Sequence, residues 1–351
     1  MANTQKYLED FDSAIALGRF EENATLRQKR DIIREKLEAR LRDVFEEHGE
    51  ECPEFYFRDQ GSYDLGTGVK PVDGDFDIDQ GLYFGASTDM WPDPVTPKMR
   101  VHEALDGHTK EVRIRRPCVT VFYQQDGEPI YHVDIAVYSD GAENADGKHR
   151  LAMGKENSAE ELRIWEASDP QALKDKTTGR FEGNDREQFR RIVRYLKRWK
   201  DVNFPPDGNA APLGIGLTIL AHDELQPRYA DTVSGTPDDL GALRHLAQAI
   251  LNRFGVTWDE DEATWIRRLV VKLLVEPWND LFERMTGKQM EQVEQELGVL
   301  LEALNSATDE VDPVEACKRL SKVFGKDFPV PRMEDTGKRH APAIVSSSNS
   351  A

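Results

Sequence analysis

Only three cysteines, Cys52, Cys118 and Cys317, occur in 351 residues. They are far apart and odd in number, so neither a disulfide framework nor a metal-ligand spacing follows. The eight histidines do not cluster either. No apolar run approaches the length of a membrane span and no signal-peptide pattern is present, so no membrane partner is expected. The expected location is a reducing cytoplasm. Positive charge is scarce: 46 Lys and Arg stand against 65 Asp and Glu, a net charge of −19. That balance argues against an extended nucleic-acid surface, which rests on many Lys and Arg contacts to phosphate. It leaves room for a pocket holding one or two triphosphates, where a local basic patch suffices. Two phosphate-binding loops are also missing, G-x-x-x-x-G-K-[ST] and a G-x-G-x-x-G that opens a helix after a strand. A calcium loop fails in both registers. Counted from Asp75, Gln80 and Ala86 occupy the Gly and Glu positions; counted from Asp73, Ile78 and Phe84 do.

What is present is an acidic strand. Asp75, Asp77 and Asp79 alternate with Phe76 and Ile78, and the run continues into Leu82-Tyr83-Phe84. The alternation predicts a strand with one acidic and one apolar face. Aspartate is depleted in strands, and like charges this close raise each other's pKa unless a cation sits between them. Magnesium suits such a site, being hard and held by carboxylates together with substrate phosphates. The alternative is a solvated acidic edge that discourages aggregation. Upstream, residues 54–58 read as a strand that runs into Gln60-Gly61-Ser62-Tyr63. Gly61 permits a tight turn, and the turn's free N–H groups with the Ser62 hydroxyl can receive phosphate oxygens. Downstream, residues 130–138 are β-branched and aromatic with Asp134 in their middle. A buried, unpaired carboxylate is expensive, so a metal or an arginine of the Arg113-Ile114-Arg115-Arg116 strand should partner it. His132 reads as an ordinary strand histidine turned to the opposite face from Asp134.

Together these residues resemble the DNA-polymerase-β-like nucleotidyltransferases, whose signature is Gly-Ser, a spacer, Asp-x-Asp, and a third Asp on a later strand. Gln60-Gly61-Ser62-Tyr63, Lys70-Pro71 and Asp77-Ile78-Asp79-Gln80-Gly81 are more specifically similar to the CD-NTases, the bacterial cGAS/DncV-like enzymes of CBASS anti-phage defence. The helix at 189–200 and the segment 323–329 extend the likeness. The resemblance implies an α+β fold: a polymerase-β-like core, with a mixed sheet and flanking helices, plus a C-terminal helical lobe. It implies a metal-binding, catalytic triad of Asp77, Asp79 and Asp134 with two magnesium ions. Gly61 and Ser62 would hold the donor's β- and γ-phosphates, flanked by Gln60 and Tyr63, and Lys197 would match a helical lysine that contacts triphosphate. Lys200, at the same helix end, also reaches toward the cleft. The family often adds a serine on the next helix; residues 212–218 contain Thr218 but no Ser. The implied reaction turns nucleoside triphosphates, ATP and GTP first, into a cyclic di- or trinucleotide messenger read by a downstream effector. A C-terminal conjugation at Ala351 by a ubiquitin-transfer-like enzyme is a further implication. A linear nucleotidyltransferase and a non-catalytic nucleotide-binding regulator are the alternatives.

Residues 1–180 are expected to form the catalytic lobe with two N-terminal helices, 181–330 a helical lobe, and 331–351 a disordered tail. Residues 139–184 read as a polar connection with a short helix near 159–167. Phe189, Ile192, Val193, Leu196 and Trp199 form a helical apolar stripe, with Arg190, Arg194 and Arg198 on a solvated basic face. Further helices are expected near 213–225, 238–254, 263–275, 279–304 and 312–324. Tyr63 and Tyr195 are candidates to stack on a base.

Overall fold

The computed structural model describes residues 3–17, 21–72, 76–125, 128–205, 210–260 and 263–332. Asp75, Ala351 and the expected tail beyond residue 332 lie outside the described residues.

The first half of the chain runs α1 (Gln5–Ile15), α2 (Glu21–Glu47), β1 (Phe55–Asp59), the helical turn α3 (Gly61–Asp64), β2 (Phe76–Phe84), α4 (Val95–Leu105), β3 (Glu111–Ile114), β4 (Val119–Gln125) and β5 (Glu128–Ser139). Then come β6 (Arg150–Met153), β7 (Ile164–Ala167) and α5 (Pro170–Gly179). The strands form one mixed sheet in the order β1-β2-β5-β4-β3, with β6 on β5 and β7 on β6. β2 and β5 are parallel, a pairing that needs a long crossover, and α4 with the β3–β4 hairpin supplies it. Period two sorts the side chains of these central strands. Ile78, Leu82 and Phe84 with Val133, Ile135 and Val137 pack against Ile33, Leu37, Leu41 and Phe45 of α2. Each such fully buried aliphatic contributes about 2 kcal/mol. The opposite face carries Asp77 and Asp79, and it looks toward the second half of the chain.

α4 is tied to the sheet by an unusual anchor. Lys98 is fully buried, and its Nζ donates to the carbonyls of Arg115 (2.6 Å), Arg116 (2.8 Å) and Gly154 (2.7 Å). Burial pushes its pKa down to about 8. Lys98→Met keeps the length and removes the donors, leaving three carbonyls without them. It is expected to cost about 3 kcal/mol, read as a lower urea midpoint.

The second half runs α6 (Gly183–Asn203), α7 (Gly214–Glu224), β8 (Tyr229–Asp231), β9 (Thr236–Pro237), α8 (Asp239–Asn252), β10 (Gly255–Asp259), β11 (Thr264–Arg268), α9 (Gly287–Asp309) and α10 (Pro313–Phe324). The α6 stripe is buried as expected, among Leu243, Leu246, Leu297, Leu300 and Phe324. Leu8, Phe11 and Ile15 of α1 belong to this core and not to the sheet's, so packing parts the two N-terminal helices that sequence grouped together. The fold is α+β, a mixed sheet with flanking helices followed by a mainly helical half. No described helix is long and apolar enough to cross a membrane.

Three expectations are corrected. The helix over 263–275 is instead strand β11, paired with β10, because Trp258 and Trp265 face each other across a hairpin with ring centroids 5.5 Å apart. The helix over 279–304 begins only at Gly287, where Thr286 and Gln289 form a capping box; before it, Asp280 accepts from the N–H groups of Val271 and Phe282 and holds the chain in a loop. The stretch 139–184 is not a bare connection. It adds β6 and β7 to the sheet, and its longer helix is α5, started by Asp169 accepting from Ala172 N with Pro170 behind it.

Candidate active site

β2 and β5 run in a register that sets Asp77 beside His132 and Asp79 beside Asp134. Asp77 and Asp79 share a face because they are two residues apart. His132 and Asp134 are also two apart, so they share one too. The expectation that His132 turns away from Asp134 is therefore overturned: its Nε2 lies 3.3 Å from Asp77 Oδ1. One donor atom each from Asp77, His132 and Asp134 fall within 4.8 Å of one another. Asp134 takes its hydrogen bond from Thr120 Oγ1 on β4, at 2.5 Å. Arg115, offered by the sequence as an alternative to a metal, lies over the Phe122 ring, 5.1 Å from its centroid.

Asp79 is the strained member of the cluster. Burial first, then the carboxylates of Asp77 and Asp134, hold its pKa well above the usual carboxylate range, while Lys197 pulls the other way. A cluster that disfavours its own charge has the chemistry of a cation site. Carboxylate oxygens suit a hard divalent ion such as magnesium; Asp77 and Asp134 bring one each within 4.8 Å of the other, and Asp79 adds its charge beside them.

The Gly-Ser turn abuts this cluster directly. Gly61 adopts φ +76°, and a Cβ there would lie 1.8 Å from Asp79 Oδ2. The glycine is thus needed for the approach of the Asp79 carboxylate as well as for the turn. Gln60 precedes α3 in extended conformation, and its Oε1 accepts from Tyr138 Oη at 3.3 Å. Tyr138 ends a stack with Tyr83 and Tyr56, at centroid spacings of 4.4 and 5.1 Å, which braces Gln60 from below the cavity wall.

Across from the turn stands α6. Lys197 is 7% exposed, and its Nζ donates to Thr67 O (3.1 Å) and Thr67 Oγ1 (3.2 Å). Burial, then Lys200, pushes its pKa down to about 7 against the pull of Asp201 and Asp79. Lys200 pairs with Asp201 at 2.8 Å. The expected solvated basic face is corrected for two of its arginines. Arg194 donates to both carboxylate oxygens of Asp12 and to Gly66 O (2.6 Å), and Arg198 donates to Asp327 (2.6 Å) and to Lys70 O (2.8 Å). Both are buried. Three α6 cations therefore grip the loop after the Gly-Ser turn by its carbonyls.

These parts enclose a cavity of about 490 Å³, in the range of small-molecule sites. Gln60, Gly61, Ser62, Asp77 and Asp79 line one side, and Lys197 and Lys200 the other. Asp134 is not in its wall and joins the site through its strand neighbours. Tyr63 is not in the wall either; its hydroxyl accepts from Arg27 Nε of α2. Tyr195 is wholly buried, with its hydroxyl donating to Leu8 O at 2.8 Å, so neither tyrosine is placed to stack on a base in the cavity. The lining also includes residues not singled out as site residues from sequence, Lys174 and Thr218 among them. Lys174 of α5 pairs with Asp64 at 2.6 Å, and Thr218 of α7, whose hydroxyl donates to Gly214 O at 3.0 Å, stands on the helix where a serine was sought. Its one proton is engaged there, so toward the cavity Thr218 offers acceptor lone pairs.

Comparison with known proteins points one way. Residues 55–138 match the family model for the nucleotidyltransferase domain of DncV-like cyclic GMP-AMP synthases. A cyclic GMP-AMP synthase of Escherichia albertii is 27% identical over 215 residues, 58% of this chain and 44% of that protein's length. The matched region thus spans less than half of that curated relative. Among solved structures, the Vibrio cholerae DncV cyclic AMP-GMP synthase is similar with a TM-score of 0.67 and 18% identity, over 94% of this chain and 98% of that one. The same enzyme with nonhydrolyzable GTP gives 0.68 at 17% identity, covering 94% and 97%. Escherichia coli DncV bound to 3′-deoxy GTP gives 0.64 at 17% identity, covering 90% and 93%. At these identities the structural likeness speaks for the fold.

Proposed function

We propose that this chain, which belongs to the DncV-like nucleotidyltransferases through residues 55–138, joins ATP and GTP into a cyclic di- or trinucleotide, a cyclic GMP-AMP-like product first among them. The observation that carries the reading is one cavity walled by the Gly-Ser turn, two acids of the Asp cluster and two lysines. Simple binding of a nucleotide does not require three clustered carboxylates.

Asp77, Asp79 and Asp134 would hold magnesium, which would supply Lewis acidity toward a ribose hydroxyl and charge neutralisation of pyrophosphate. The chain's own groups do the positioning. Ser62 and the turn amides orient the donor triphosphate for attack at its α-phosphorus. Lys200 brings positive charge to the cavity rim. Lys197 Nζ, whose pKa sits near 7, takes up its proton fully when triphosphate charge arrives, because a nearby anion favours the ammonium form. Gln60, braced by Tyr138, borders the turn. A second messenger made this way would act on a cyclic-nucleotide-sensing effector in anti-phage defence, and conjugation at Ala351 would be one route of control.

Purified protein incubated with ATP, GTP and Mg2+ is expected to release pyrophosphate and yield a phosphatase-resistant product on chromatography. A phosphatase-sensitive product would identify a linear nucleotidyltransferase. Absence of magnesium-dependent turnover would identify a nucleotide-binding regulator.

A further inference from the structure

Hard-metal chemistry accounts for the aspartates at this site and leaves His132 over. Its imidazole is 13% exposed and lies among carboxylates, with Nε2 3.3 Å from Asp77 Oδ1. The parallel register puts it directly beside Asp77 and two residues before Asp134 on the same face. On its other strand neighbour, β4, the Phe122 ring lies 5.8 Å from the imidazole, limiting the directions in which the ring can turn. The group of donor atoms within 4.8 Å of one another contains this nitrogen together with one oxygen each of Asp77 and Asp134. Asp79 is outside that group; its carboxylate is tucked against Gly61.

We propose that His132 is a metal ligand, making Asp77, His132 and Asp134 a mixed nitrogen–oxygen position that selects a transition-metal dication, Mn2+ or Co2+, over Mg2+. The inference rests on the nucleotidyltransferase reading and refines which ion one of its two positions takes. Mg2+ prefers oxygen donors and gives up its waters reluctantly, whereas imidazole is a ligand of the softer dications. Affinity of a nitrogen–oxygen set rises from Mn2+ to Co2+. The second position, formed by Asp77 and Asp79 with triphosphate oxygens, stays an all-oxygen site suited to Mg2+. A competing role for His132 is that of a counter-ion for Asp77, which would act on every dication alike.

The test uses the full chain loaded with Mn2+, as wild type and as His132→Asn. Pulsed electron paramagnetic resonance of the wild type is expected to show a directly bonded 14N, replaced by the 15N pattern when histidine is 15N-labelled. The variant is expected to lose that coupling. By calorimetry its Mn2+ affinity should fall about tenfold, while its Mg2+ affinity changes much less. Wild-type Mn2+ without a bonded nitrogen overturns the proposal, and so does an equal loss for both ions in the variant. If the variant does not fold, the isotope pattern of the wild type still decides. Pyrophosphate release by the same wild-type preparation reports separately on the enzyme reading. Turnover without nitrogen coupling sinks only the ligand role, and coupling without turnover sinks only the reaction.

Discussion

Replacing Asp77 and Asp79 together by alanine is expected to lower magnesium-dependent pyrophosphate release by about a thousandfold or more and, at the same time, to stabilise the metal-free protein. The first effect follows from the several kcal/mol that a bound dication contributes to phosphoryl-type transfer, about 1.4 kcal/mol per factor of ten. The second follows from the raised pKa of Asp79. Two carboxylates about 4 Å apart repel by about 1 kcal/mol in water and more in a less polar site. A carboxyl whose pKa rises on folding binds its proton more tightly in the folded state. Metal-free wild-type protein should therefore gain stability as pH falls through the folded pKa of Asp79 toward the unfolded value, and the double variant should lack that gain. Thermal melts in chelator across this pH range, beside a pyrophosphate assay, read both effects. Turnover equal to wild type would refute the site.

Gly61→Ala should be nearly as damaging, although it adds a single methyl group. The added carbon would stand 1.8 Å from Asp79 Oδ2 and 2.6 Å from its Cγ, and the φ of +76° already disfavours any side chain. Backbone strain costs about 1–2 kcal/mol. The larger loss comes from displacing the Asp79 carboxylate, because a shift of about 1 Å at a catalytic group costs about a hundredfold in rate. Steady-state turnover with circular dichroism as the folding control measures this. Near-native turnover would mean that Asp79 is not needed where it stands.

The acidic face was legible because alternation along a strand is a local property: Asp77, Ile78 and Asp79 announce it by themselves. The stripe of α6 was legible for the same reason. His132 belongs to the same face as Asp134, since two residues apart on a strand means the same side. Arg194 and Arg198 were read as solvated because their partners are distant in sequence, Asp12 being 182 residues away from the first and Asp327 129 from the second. No window on α6 contains either. The walls supplied by Lys174 and Thr218 depend likewise on how α5 and α7 close over the turn. The β10–β11 hairpin is hard to see in sequence because each strand has only five residues; Val256, Thr257 and Trp258 with Thr264, Trp265 and Ile266 favour strands, and the pairing between them outweighs any helical spacing of one strand alone.

Arg194, Lys197 and Arg198 hold residues 66–70 by the oxygens of peptide groups. Every amino acid brings that oxygen, whatever its side chain. Lineages descended from this protein can therefore respell position 70 without loosening that end of the loop, whereas Gly66, at φ +68°, and Thr67, whose hydroxyl also receives Lys197, share the constraint of the cations that grasp them.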